Sequence, residues 1–314
     1  MPDVPQDDRR PPPILASRPS PFLRVRELPA IAVWIVFFIM LYLVGTFLPE
    51  GYNWRLDFSR GVLPAWWVPW AKPIISLLNL PLVFSLTIIA IALRCFRRSR
   101  SPLPVLLATL SLPTLWTLFL GELAGLPLVG LLALPWAIPI VLLKPQLAAF
   151  ATLARWKWFL AACLWLVLSI VIWGPWPLEL LVIQSPEWKA VHPQDISLFP
   201  WGVLVAAPLA WFSRGDEDLL MAAGSFASPH LFPYHFIVLM PSLARMNLAW
   251  MLGTWLLGWT PLLANWLGPG AWHFGNLIGL SFWLGIKIGA RRAPERTYPG
   301  PARPGVTEAG APSR

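Results

Sequence analysis

Long runs of apolar residues alternate with short polar or basic clusters along this chain, the first run from Ala30 to Leu48 and the last from Trp272 to Gly289. A helix that crosses the hydrocarbon of a bilayer needs roughly 20 apolar residues, and about eight windows approach that length. They are Ala30–Leu48, Pro73–Leu93, Leu103–Leu120, Leu123–Leu143, Phe159–Trp173, Leu198–Phe212, Leu248–Leu267 and Trp272–Gly289. Two further pieces are apolar but irregular. Gln146–Ala154 is too short to cross and reads as an interfacial or half-inserted helix, while Leu219–Leu243 is interrupted by Ser228-Pro229 and Phe232-Pro233. Proline removes a backbone donor and breaks helical hydrogen bonding, so this last piece predicts a broken, re-entrant helix. Irregular backbone at membrane depth is tolerated only where it lines protein or water. The expected fold class is all-α: a polytopic transmembrane helical bundle of about eight full spans plus broken or re-entrant helices, occupying 29–290. Residues 1–28 and 291–314, rich in proline and charge, are expected to be disordered cytoplasmic tails.

Composition strengthens the membrane reading. Hydrophobic residues make up 57% of the chain and charged ones 12%, with mean hydropathy +0.61, whereas soluble domains carry about 25% charged residues. The net charge of +9 does not point to nucleic acid, because the arginines punctuate apolar segments instead of interleaving with aromatics on a soluble face. Orientation in the membrane explains them better. Arg94 to Arg100, Arg155 to Lys157, Arg245 and Arg291 to Arg296 mark a cytoplasmic side, and Lys144 is placed there too. Of the 24 basic residues, only Arg55, Arg60, Lys72 and Lys189 are left outside. Glu122 falls in a short outer turn, and Glu179–Ile196 forms a second sizeable outer loop holding Glu187, Lys189, His192 and Asp195. Both termini are then cytoplasmic. Cys95 and Cys163 lie on different segments with neither disulfide nor zinc spacing, and no internal repeat is visible.

Motifs of soluble enzymes are absent: there is no phosphate-cradling glycine loop, no metal-binding His-Glu pair on a helix, no nucleophile elbow and no paired cysteines. What remains are ionisable groups in or beside apolar segments, where they are costly and so often functional. His230 and His235 flank the break in the re-entrant piece, and an imidazole can take up a proton, donate one or bind a phosphate oxygen. The plain alternative is a pair of interfacial histidines satisfied by water. Lys144, between two apolar pieces and followed by Pro145, offers a fixed positive charge for a lipid phosphate, or else snorkels to the boundary. Asp57, in the aromatic loop after the first run, is a candidate general base, or a solvated aspartate paired with Arg55 or Arg60.

Four stretches carry a family resemblance: Leu143-Lys144-Pro145-Gln146-Leu147-Ala148, Ala154-Arg155-Trp156-Lys157-Trp158, Trp173-Gly174-Pro175-Trp176-Pro177, and Ser228-Pro229-His230 running on to Tyr234-His235-Phe236. In order and spacing, over about residues 124–245, this region resembles the bacterial polyprenol-phosphate-mannose-dependent mannosyltransferases of glycosyltransferase family 87, within the glycosyltransferase C superfamily. The chain is shortened and divergent in the first outer loop, which runs straight into Gly61-Val62-Leu63-Pro64. The resemblance implies a glycosyltransferase C-like bundle in the bacterial cytoplasmic membrane with its site facing outside. It implies transfer of a hexose, mannose by analogy, from a polyprenyl-phosphate donor to a glycolipid or glycan acceptor. Asp57 then matches the family's catalytic carboxylate, and His235 matches the closing histidine or aspartate of the Ser-Pro motif. His230, Tyr234, Lys144 and Arg60 are the expected donor or acceptor contacts.

No metal is demanded by these residues, although a divalent ion bridging phosphate and carboxylate is compatible with them. The partners expected are membrane lipids and the lipid-linked substrates, not nucleic acid. The competing reading is a non-catalytic, degenerate family member that serves as a membrane scaffold or translocates a lipid-linked sugar.

Overall fold

The computed structural model describes residues 28–58, 67–179 and 185–292. Nearly all of both expected tails, and Arg60, lie outside the described residues. Within them the chain is helical, without a strand.

Proline decides where the helices begin. It lacks a backbone N–H, which a helix misses everywhere except in its first turn. After α1 (Leu28–Thr46) and the short α2 (Ala71–Ile75), a proline sits in the first turn of each of α3 (Leu80–Arg98), α4 (Leu103–Thr109), α5 (Leu112–Leu120), α6 (Leu126–Leu132), α7 (Ile138–Val141) and α8 (Pro145–Ala148). Asn79 caps α3 by accepting the Leu82 N–H at 2.9 Å, and Ser111 caps α5 through the Thr114 N–H at 3.4 Å. The apolar run Leu103–Leu120 is therefore two helices, α4 and α5, bent by 47°. Leu123–Leu143 is likewise divided into a 3-10 turn, α6 and α7, and Leu248–Leu267 stops being one helix after Leu257.

The remaining helices are α9 (Trp156–Trp173), α10 (Pro186–Val191), α11 (Val203–Ser213), α12 (Glu217–Ala227), α13 (Leu248–Leu257), α14 (Ala264–Leu267) and α15 (Asn276–Arg292). Among the described residues, α3 and α9 are long and apolar enough to cross a membrane, and the bent pair α4–α5 makes a third if taken as one span. Only 6% of the apolar window of α9 is buried within the protein. Each large aliphatic side chain left in water forgoes about 1.5–3 kcal/mol, so this helix is compatible with a lipid surround and not with an aqueous one.

Two hairpins of opposite direction fill the bundle. The first leaves Glu122, follows α3 along α6, turns near Leu132, where Arg97 Nη1 lies 3.5 Å from the carbonyl, and returns by α7 to Lys144. The second rises from Asp216 along α12, breaks at Ser228–Phe232 and returns as a 3-10 helix, Pro233–Arg245, whose Arg245 pairs with Asp216 at 2.6 Å. This returning limb is the core axis. Pro233 to Leu243 are all buried, with Phe236 and Leu239 among the most enclosed side chains of the protein. The half-length piece Gln146–Ala154 is a short α8 followed by a 3-10 turn, and it packs on α12.

The first hairpin corrects one expectation. Leu123–Leu143 was expected to cross, with Glu122 on one side and Lys144 on the other. In the structure Lys144 Nζ lies 3.0 Å from Glu122 Oε2, so the segment goes out and comes back.

Candidate functional site

The break in the second hairpin, the ends of the first hairpin and the loop after α1 converge at one end of the bundle. Gly121 makes this possible. It ends α5 in the left-handed region (φ 69°), and a Cβ on it would meet Trp54 Cβ at 2.7 Å. The next residue, Glu122, is turned inward and is 3% exposed. Its carboxylate takes the Lys144 ion pair on Oε2, and on Oε1 it accepts from the Asn53 side chain and, at 3.5 Å, from the Tyr234 hydroxyl. Lys144 Nζ also lies 3.9 Å from the centroid of the Trp67 ring and 5.9 Å from that of Tyr234. A cation over aromatic faces gains electrostatically from the ring quadrupole, which holds this ammonium in place where it would otherwise snorkel outward.

Across the cavity stands His230. Its Nδ1 lies 2.9 Å from Asp195 Oδ2, and Asp195 Oδ1 accepts the Leu231 N–H at 3.0 Å and the Ser197 N–H at 3.1 Å. Burial pushes the Asp195 carboxyl up, but His230 and the two backbone donors outweigh it and hold the group below its ordinary pKa. An ionised carboxylate only accepts, so His230 Nδ1 carries the proton and Nε2 is the nitrogen left for chemistry. Lys144, His230, Trp67, Gln146 and Phe150 line a cavity of about 290 Å³, mainly apolar elsewhere. Gln146 Oε1 in that wall is buried without a hydrogen-bond partner.

His235 has a different place. Its Nδ1 accepts the Phe232 N–H at 3.0 Å, which pins the start of the returning 3-10 helix, and its ring packs 4.5 Å from that of Tyr234 and 5.6 Å from that of His230. The tautomer follows from that bond: Nε2 bears the proton, and it is buried without an acceptor. His235 stands behind the cavity wall instead of in it. Ser228 is also committed to the turn, with its hydroxyl donating to the His230 carbonyl at 2.8 Å.

Of the residues singled out from the sequence, Lys144, Tyr234, His230 and His235 are brought together. Asp57 belongs to the one-turn π-helix Trp54–Phe58, four residues beyond Asn53, which touches Glu122; its side chain and Arg60 lie outside the described residues. Sequence reasoning missed Glu122 and Asp195 as site residues. The available signal for Glu122 was a carboxylate standing alone between leucine-rich runs; for Asp195 there was none beyond its position in an outer loop.

Near Trp67 in the sequence, the Trp70 ring packs edge-on at 5.3 Å from that of Trp176 and 5.5 Å from that of Trp165. Among the described residues no group of three or more histidine, cysteine, aspartate or glutamate side chains is placed to hold a metal ion. Comparison with protein-family models, with curated proteins and with solved structures returns no match.

Proposed function

We propose that this chain is a polytopic glycosyltransferase of the bacterial cytoplasmic membrane that moves a hexose, mannose by resemblance, from a polyprenyl phosphate to an extracytoplasmic lipid or glycan acceptor. The observation that supports it is the cavity with Lys144 on one wall and His230 on the other. A polyprenyl phosphodiester of a sugar needs a cation for the charge that gathers on the departing phosphate and a proton donor near the leaving oxygen. Lys144 supplies the first, and the Nε2–H of a His230 imidazolium paired with Asp195 the second. A lipid phosphate delivers the donor within the bilayer, so no nucleotide-binding domain is needed. In this reading Asp57 deprotonates the acceptor hydroxyl, Tyr234 orients the Glu122–Lys144 pair, and His235 positions the turn.

A second reading, the non-catalytic scaffold or lipid-linked sugar translocator, is favoured by one observation. Both well-defined carboxylates of the site, Glu122 and Asp195, are already paired with cationic or ring partners. One experiment separates the two. Transfer of labelled mannose from polyprenyl phosphate in membrane vesicles is compared for the intact protein, Lys144→Gln, His230→Ala and Asp57→Asn. Loss of transfer by about 10²-fold or more in each variant, with unchanged size-exclusion profiles, is the result expected of the enzyme. Donor binding without transfer by the intact protein, over several acceptors, would move the assignment to the translocator.

A further inference from the structure

At the far end of α3 from Glu122, about 20–27 Å along the helix, the charged residues of three elements meet. Arg94 and Arg98 of α3 reach Glu217 at 2.9 and 3.0 Å and Asp218 at 3.4 and 2.8 Å, and Arg245 reaches Asp216 at 2.6 Å and Asp218 at 2.9 Å. Three guanidinium groups thus balance three carboxylates. Two further cations at this end have no carboxylate partner among the described residues. Arg97 makes only a 3.5 Å contact to the Leu132 carbonyl, and Arg155 lies 4.7 Å over the Trp158 ring. A cavity of about 310 Å³ opens beside Arg97, lined by Arg94, Arg97 and Arg98, by the single carboxylate of Glu217, and by Leu131, Leu132 and Leu134 of the first hairpin's tip. It shares Arg98, Glu217 and Trp158 with a neighbouring cavity of about 460 Å³ that Arg155 lines. Arg94, 3% exposed, keeps its Nε–H buried with no acceptor, and a buried donor left unpaired is costly.

We propose that this arginine end is a binding site for a phosphate group, with Arg97 and Arg155 as the recruiting cations, Arg94 as the buried donor, and the Leu131–Leu134 wall receiving an attached hydrocarbon chain. The six-membered ion network neutralises itself, so the surplus charge of Arg97 and Arg155 is what an incoming anion meets. Arginine's fork suits phosphate oxygens, and the apolar wall on one side favours an amphiphile over a bare ion. This site is independent of the cavity at Lys144 and does not rest on the transfer reaction.

The test uses the purified full chain, delipidated and then offered phosphatidylglycerol or phosphatidylcholine, with lipid retention read by native mass spectrometry. The intact protein is expected to retain phosphatidylglycerol about tenfold over phosphatidylcholine, and the Arg97→Gln/Arg155→Gln double variant to lose that preference. These two side chains stand outside the ion network, so the variant keeps its fold; Arg94→Gln, which breaks into it, is not used. Inorganic phosphate supplied in competition distinguishes the source. Displacement of the lipid assigns the site to the phosphate group alone, and retention in its presence assigns it to a lipid headgroup. Equal retention of the two lipids by the intact protein, or a preference unchanged in the double variant, would overturn the proposal.

Discussion

Asp218 is fully enclosed and still charged, because three arginines reach its two oxygens. Burial raises the carboxyl's pKa, but Arg98, Arg94 and Arg245 together reverse that and hold it at about 2 against an ordinary 3.8. A folded-state pKa below the unfolded one contributes stability that is complete above the unfolded value and lost as pH falls through the folded value. The window is therefore roughly pH 4 down to 2, and the contribution roughly 2–3 kcal/mol. Asp218→Asn is expected to cost about 3–5 kcal/mol at neutral pH, since Arg94, Arg98 and Arg245 then face an amide. It should also flatten acid unfolding within that window. Melting of the detergent-solubilised protein from pH 2 to 7 checks both, and a variant as stable as the parent at pH 7 would contradict the network. Asp218 was not singled out in the sequence, whereas Lys144 and His230 were legible as costly ionisable groups in or beside apolar segments. Their partners were not. Lys144 was legible as a cation awaiting an anion, but the anion it found is Glu122, which only the return of the first hairpin brings within reach. His230 found Asp195, 35 positions away, by the same kind of long-range closure.

At the level of elements, the apolar runs were read correctly as helical, and Phe159–Trp173 and nearly all of Ala30–Leu48 each fall in one helix, but Leu103–Leu120, Leu123–Leu143 and Leu248–Leu267 are not continuous. Hydropathy averages over a window and is blind to where a proline falls within it. Pro113, in the middle of the run Leu103–Leu120, is accommodated only by starting α5 afresh behind the Ser111 cap. The break at Ser228–Phe232 was legible because Pro229 and Pro233, with His230 and His235, interrupt the apolar pattern itself. The close approach of the loop after α1 to the end of α5 was not, since it depends on two glycines whose role appears only in three dimensions. A Cβ on Gly51 would meet the Leu120 backbone at 2.2 Å, and one on Gly121 would meet Trp54 while forcing a left-handed backbone on an alanine. Gly121→Ala is accordingly expected to cost about 2–4 kcal/mol, from the left-handed strain and the overpacking together. It should also weaken donor binding, because Glu122 follows directly and holds Lys144. Thermal unfolding and lipid-phosphate binding measured on the same preparation check this. A destabilised variant with unaltered binding would detach the Glu122–Lys144 pair from the site.

For the molecule as a whole, the two hairpins explain why basic residues scattered along the chain gather at one end. Arg94, Arg98 and Arg245 meet there because α12 climbs away from Asp218 and the 3-10 limb descends again, so a segment without one full-length helix begins and ends at the same level. Eleven residues of α-helix rise about 16 Å, about half the roughly 30 Å thickness of a bilayer's hydrocarbon. The tip, where His230 contacts Asp195, meets the loop that follows α10. The arrangement has a direct topological consequence. In a background lacking Cys95 and Cys163, cysteines placed at Arg214 and Leu248, on the two flanks of the hairpin, are expected to react with an impermeant maleimide from the same side of sealed vesicles. A cysteine at Lys189, exposed on α10 beside the histidine tip, is expected to react from the other. Labelling of Arg214→Cys and Leu248→Cys from opposite sides would turn the hairpin into a span and separate Arg245 from Asp216. All three reacting from one side would put both ends of the bundle in the same compartment and remove the proposal that the site faces outward, whatever the chemistry at Lys144.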